Sequence, residues 1–186
     1  MTIAAGTGEP QPVTPTQALM QETLRRLAAN RVPGSNLYSG WLADLRHGIT
    51  RTGESRAVVP AGPYLGGLSP RERSGALRAA AIRASNKDVR NAKGRALGVS
   101  FASLSRAVGG SSVERQVATL PLLDLESAAA ALDGLVDRCS SAGVAVDFAA
   151  LARTLVHWGT GATPRSQEIR NQIVLDFHYA AAGVTR

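Results

Sequence analysis

The stretch that decides the fold is Asp147-Phe148-Ala149-Ala150-Leu151-Ala152-Arg153-Thr154-Leu155-Val156-His157-Trp158-Gly159. Asp147 is a good N-cap, because its carboxylate can accept from the free amides of a first helical turn. Phe148, Leu151, Leu155 and Trp158 recur three and four residues apart, which places them on one inward face. Gly159 then stops the helix. A capping side chain, an apolar stripe of helical period and a terminating glycine are complete within thirteen residues.

The same grammar extends outward. Towards the C-terminus, Thr163-Pro164 opens a helix carrying Ile169, Ile173, Phe177 and Ala180. Towards the N-terminus, Asp124 caps a helix whose stripe is Leu125, Ala128, Leu132, Leu135 and Cys139, with Gly143 after it. Before that, Phe101, Leu104 and Val108 predict a helix ended by Gly109-Gly110, and Ser111-Ser112-Val113-Glu114 reads as a capping box ahead of Val117 and Leu120. Ser69-Pro70-Arg71-Glu72 is a second capping box with proline at the first helical position, opening a helix through Leu77, Ala80, Ala81 and Ala84. Its other face and its exit look basic: Arg71, Arg78 and Arg83, then Lys87, Arg90, Lys93 and Arg95 in a polar, exposed loop over 85–96. Gly and Pro recur between Thr50 and Leu68, which reads as a long connection with room for a short helix. Ser35 or Asn36 opens a helix with Leu37, Trp41 and Leu45 on one face and Gly48 at its end. Thr14 caps the first helix, with Pro15 at its first position and Met20, Leu24 and Leu27 inward. Residues 1–15 show no apolar period and are expected to be a flexible tail.

No alternating strand pattern of useful length appears, and 31 alanines allow close helix packing. The expectation is an all-α, bundle-like fold of about seven to nine helices, as one compact domain or two small lobes; a division into two would put an N-terminal lobe at 16–110 and a C-terminal lobe at 111–186. A chain of 186 residues can bury roughly 70% of its unfolded surface, and 44% hydrophobic against 19% charged residues is the balance of a folding chain. No apolar run approaches the ~18 residues of a membrane span. Cys139 is the only cysteine, so there is no disulfide framework. Met1 to Gln17 carries neither a basic nor an apolar leader region, and a cytoplasmic location is expected.

Charge is the informative number. The net charge is +7, and 19 of the 21 basic residues are arginine. The segment Arg46–Arg106 holds 12 Lys/Arg against Glu54, Glu72 and Asp88, a local +9, while the rest of the chain carries 9 basic and 11 acidic residues. Such localisation points to a polyanionic partner.

Catalytic constellations are missing from the sequence. There is no phosphate-cradling glycine-lysine loop, no nucleophile elbow and no metal-binding H-E-x-x-H. Gly6-Thr7-Gly8 and Gly159-Thr160-Gly161 are turns without the strand and helix that a dinucleotide site needs. One cysteine with His47, His157 and His178 scattered along the chain offers no zinc set. Cys139 on an apolar stripe is a buried structural thiol, and His157 is read as a partly buried histidine beside Trp158. Asp133 and Asp137 lie opposite the apolar stripe, where they are expected to be solvated. No catalytic residue, metal or cofactor is therefore assigned, and an enzyme with unrecognised chemistry is the third-ranked class.

Binding remains. Guanidinium groups stay charged and grip phosphate with two parallel hydrogen bonds. Aromatic residues are too few for a base-stacking platform, so contact with phosphates and not with bases is expected. Six such contacts would give a log–log salt slope of roughly −4 on a single strand and roughly −5 on duplex DNA. The residues assigned to this role are Arg46, Arg83, Lys87, Arg90, Lys93, Arg95, Arg106 and Arg115. The competing class is a helical adaptor whose arginines pair with acidic protein surfaces.

Val146 to Trp158 also resembles a late helix of the small subunit of the type I-E CRISPR effector complex, the CasB family of Cascade. In that family an Asp-aromatic pair precedes Leu-Ala-Arg, a Leu and a Trp at the same spacing, and this coincidence adds Arg153 to the residues assigned to phosphate contact. Leu175-Asp176-Phe177-His178-Tyr179 is similar to its closing Asp-Phe motif, and Gly98-Val99-Ser100-Phe101-Ala102 to its Gly-hydrophobic-Ser motif. Glu114-Arg115 with Leu120 and Asp124, and Leu42-Ala43-Asp44-Leu45-Arg46-His47-Gly48, extend the likeness over roughly residues 17 to 180. The connection 50–68 matches loosely, and the basic loop only near Arg95.

The resemblance implies a non-catalytic, all-helical subunit of two small lobes, present as two copies in a guide-RNA-bearing complex. Its partners would be the large subunit, the backbone subunits, a second copy of itself, the guide RNA, and target DNA including the displaced strand. No membrane and no small-molecule substrate would be involved. Strand exchange between a DNA duplex and an RNA–DNA hybrid is nearly balanced, so modest contacts to the backbone can tip it.

Overall fold

A computed structural model describes residues 13–183, among which there are nine α-helices, three single turns of 3-10 helix and no strand. Of the expected tail over 1–15, residues 1–12 lie outside the described residues, and Thr14 and Pro15 already cap and open the first helix. The helices are α1 (Pro15–Ala29), α2 (Ser39–Arg46), α3 (Glu54–Ala61), α4 (Pro70–Ser85), α5 (Leu97–Val108), α6 (Ser111–Thr119), α7 (Leu125–Ser141), α8 (Phe148–Val156) and α9 (Pro164–Ala181).

Caps fix most of the starts. The Thr14 and Ser69 hydroxyls accept from Gln17 and Glu72 amides in full capping boxes, and Asp124, Asp147 and Thr163 cap α7, α8 and α9. Each cap satisfies amides that the first helical turn leaves without an intrahelical partner. The connection 50–68 holds the short helix it has room for, α3, with Pro60 in its last turn.

Helix α4 runs through the middle. Every residue from Gly75 to Ala84 is buried, because α1, α2, α3, α7 and α8 all pack on it. Such a helix shows no amphipathic pattern, which is why its basic face could not be placed from sequence. Two glycines allow the tightest crossings. A side chain at Gly75 would run into the Leu155 carbonyl on α8, and one at Gly98 on α5 into the Ile173 carbonyl on α9. The expected division at 110 falls at the turn of Gly109, whose φ of 75° closes α5, and helix packing runs across it: α4 against α8 and α5 against α9. The core between them includes fully buried Phe101, Leu132, Leu135, Phe148, Leu151, Leu155 and Trp158. Each such side chain is worth roughly 1.5–3 kcal/mol relative to exposure.

Several sequence expectations need correction. Helix α2 begins at Ser39, since the Asn30 side chain accepts from the Tyr38 amide at 3.1 Å and holds the preceding residues in a loop; Leu37 is 80% exposed. The Ser111 capping box does not form: Gly110 occupies the N-cap position and α6 starts at once after it. Arg78 and Arg83 are buried, not on an outer basic face. His157 is exposed, and Asp133 is half-buried against Asn86.

Candidate nucleic-acid interface

Arginine crowds the C-terminal end of α4, where backbone carbonyls lack helical partners and the helix dipole is negative. Arg46 Nε donates to the Ala84 carbonyl at 3.0 Å, and Arg83 Nη1 donates to the carbonyls of Asn86 at 2.9 Å and Val89 at 3.0 Å. Arg31 donates to the Lys87 carbonyl. Arg46 and Arg83, two of the nine side chains read from sequence as free for phosphate, thus first complete the exit of this helix.

The segment 86–95 that follows is fastened along its length. Val146 pairs with it as an isolated parallel bridge, its amide donating to Arg90 at 3.0 Å and its carbonyl accepting from Ala92 at 3.1 Å. Asn91 Oδ1 accepts from the Phe148 amide at 3.2 Å. Asp147, buried at the start of α8, accepts the Gly94 amide on Oδ2 at 2.7 Å. Asn86 is buried and donates to Asp133, whose carboxyl is raised above the usual range by burial, with Asn86 partly opposing.

Between these fastenings the side chains of Lys87, Arg90 and Lys93 are exposed. Among the described residues no side-chain hydrogen bond or ion pair engages Lys87, Lys93 or Arg153. Arg90 donates to the Gly143 carbonyl at 3.0 Å. Arg95 and Arg106 converge on the Ser103 hydroxyl at 2.6 and 3.4 Å. Arg153 lines a small cleft with Ala96 and Leu97 at the start of α5, one residue from Arg95. Arg46 and Lys87 share a polar cleft of about 270 Å³ with Arg31 and Asn36. Arg115 stands apart on α6 and bonds within its own helix.

Arg83 differs from the rest. It is 5% exposed, its guanidinium carbon stands 4.2 Å from the Phe148 ring centre, and its Nε is buried without a partner. Desolvation lowers its pKa to about 10, Arg31 pushes the same way, and Asp88 opposes.

Sequence reasoning gave no role to Arg31 and Arg51 and read Arg71 only as part of the basic face of α4. Arg51, Arg71 and Arg73 edge a cleft of about 770 Å³ between α3, α4 and α7. Their positive charge was visible, but the convergence of three helices was not. It also missed the second task of Asp147, for which capping was the only local signal.

Among the described residues no group of three or more His, Cys, Asp or Glu is placed to hold a metal ion, and no helix is long and apolar enough to cross a membrane.

Fold and site together define an all-helical protein that carries exposed cations on a fastened loop. A family model for the CRISPR-associated protein Cse2 matches residues 41–178, and the chain belongs to that family. A crystal structure of a Cse2-family CRISPR-associated protein from Thermus thermophilus is similar, with a TM-score of 0.67 and 22% identity over 89% of this chain and 98% of that one. A chain of a solved CRISPR RNA-guided surveillance complex gives a TM-score of 0.71 and 23% identity over 91% of this chain and 94% of its own. A crystal structure of CasB, also from Thermus thermophilus, gives 0.66 and 22% over 89% and 98%. No curated protein matches the chain.

Proposed function

We propose that this chain is the non-catalytic small subunit of a type I-E CRISPR RNA-guided surveillance complex, working in the cytoplasm. In this reading it holds target DNA and the displaced strand by phosphate contacts while guide RNA pairs with its target. Membership of the Cse2 family is the observation that carries the reading. The likeness in fold to a chain of a surveillance complex supports it, as does the exposed Lys87, Arg90 and Lys93 set. A subunit serving many guides gains nothing from base readout, and cations directed at phosphates suit that requirement.

The contacts proposed are Arg46, Lys87, Arg90, Lys93, Arg95, Arg106, Arg115 and Arg153; Arg83, expected among them, is left out because it is 5% exposed and its guanidinium is turned to loop carbonyls. The proposed protein partners are the large subunit, the backbone subunits and a second copy of this chain. Exposed Leu37, Val59 and Leu122, at 80%, 77% and 84%, favour protein contacts of this kind alongside nucleic acid. They are also the observation behind the second reading, an adaptor whose arginines meet acidic protein surfaces.

Co-purification tests the assignment. Tagged chain expressed with the other subunits and a guide should recover the guide RNA and those subunits together. Recovery of the chain alone from cells that contain them would overturn the assignment.

A further inference from the structure

Two buried side chains, the guanidinium of Arg83 and the carboxyl of Asp147, are spent on the backbone of one segment. From beneath its first half, Arg83 donates to the Asn86 and Val89 carbonyls while lying against Phe148. At its far end, the buried Asp147 carboxylate accepts from Gly94. Among the described residues no ion pair joins either group to a partner. Burying an unpaired charge is costly, and an apolar side chain of similar length would cover Phe148 without that cost. What the guanidinium adds over such a side chain is its grip on two loop carbonyls.

The charges on the segment sit between the fastenings. Lys87 lies between the two carbonyls that Arg83 holds, and Lys93 directly precedes the residue that Asp147 holds. Arg90 follows Val89, and its own carbonyl accepts from Val146. A segment ordered in advance loses less freedom on binding, so affinity rises without any new contact.

We propose that Arg83 and Asp147 are positioning residues, fixing the backbone of residues 86–94 so that Lys87, Arg90 and Lys93 meet a nucleic-acid backbone in one geometry. Arg83 itself touches no phosphate. The inference rests on the nucleic-acid reading above.

The test uses the full chain and a labelled mixed-sequence DNA single strand over a salt series. Wild type is compared with Arg83→Met, with the double variant Lys87→Ala/Lys93→Ala, and with the three changes combined. Amide hydrogen exchange is followed at Ala92 and Gly94. Arg83→Met is expected to weaken binding about tenfold by loosening the segment, to speed exchange at both amides, and to leave the salt slope unchanged. In the Lys87→Ala/Lys93→Ala background it should have less effect, because two of the three groups it positions are gone. A slope reduced by about 0.7, the signature of one lost phosphate contact, with full additivity in that background, would overturn the proposal. So would faster exchange with unchanged affinity, which would make Arg83 merely structural. Asp147→Asn perturbs the segment from its other end and gives the same readouts should Arg83→Met not fold. Wild type without salt-dependent binding would bring down the nucleic-acid reading itself, before any variant is compared.

Discussion

Asp147 Oδ2 accepts the amide of Gly94 at 2.7 Å, 53 residues earlier in the chain, while its Oδ1 accepts those of Ala149 and Ala150 at 2.8 and 3.0 Å. One carboxylate thereby starts α8 and fastens the basic segment to it. Asp147→Ala removes both functions and is expected to cost about 2 kcal/mol in urea denaturation, the cap contributing most of it. Asp147→Asn keeps an oxygen for the cap but can turn an amide towards Gly94. It should cost less, while amide exchange at Gly94 still rises.

Helix caps made the fold legible. Ser69, Asp124, Asp147 and Thr163 stand where the sequence puts them, and the stripes of α7, α8 and α9 face inward as their period requires. The expected phosphate face is less legible, for a physical reason. Arg83, from the expected set, turns inward, as do Arg78 and Arg170 outside it, because neighbouring helices cover them and buried carbonyls or Glu54 accept their hydrogen bonds. Arg170, for example, donates to the carbonyls of Trp158, Pro121 and Gly159 while lying 5.0 Å from the Trp158 ring centre. Which arginine faces water depends on contacts between residues tens of positions apart, and no local pattern encodes them. Leu37 fails for the converse reason: its spacing from Trp41 is helical, but the Asn30 to Tyr38 hydrogen bond keeps its backbone in a loop.

Close crossings give a second prediction. At Gly75 and Gly98 a side chain would meet backbone of the facing helix, and backbone cannot step aside. Alanine at either position is expected to destabilise the protein by about 1–3 kcal/mol or more. Gly134 on α7 is exposed and open, so Gly134→Ala should stabilise by about 0.5–1 kcal/mol through helix propensity alone. Thermal or urea unfolding of the three variants reads this out, and equal effects at all three would contradict the packing described.

Acid should expose the Glu22 cluster. Hydrogen bonds from Arg25 and Arg26 hold its carboxyl down from the ordinary 4.5 to about 2. A folded-state value below the unfolded one means this contribution is present above about 4.5 and is lost as pH falls towards about 2. Glu22→Gln should flatten the stability profile in that window and leave its shape near neutral pH unchanged.

The Cys139 thiol is fully buried, and burial pushes its pKa up to about 12, with Arg138 and Arg95 opposing. It should react with a thiol reagent at neutral pH only at the rate of unfolding, and promptly in denaturant. Fast stoichiometric labelling of the native chain would contradict the burial.

The most direct test of the central claim is binding of the intact chain to single- and double-stranded DNA across a salt series, with and without charge reversal at Lys87, Arg90, Lys93 and Arg95. Phosphate contact predicts a steep slope, roughly −4 on single strands and −5 on duplexes for six contacts. Charge reversal should then weaken binding to every sequence alike. A flat slope, or a loss confined to particular sequences, would contradict it.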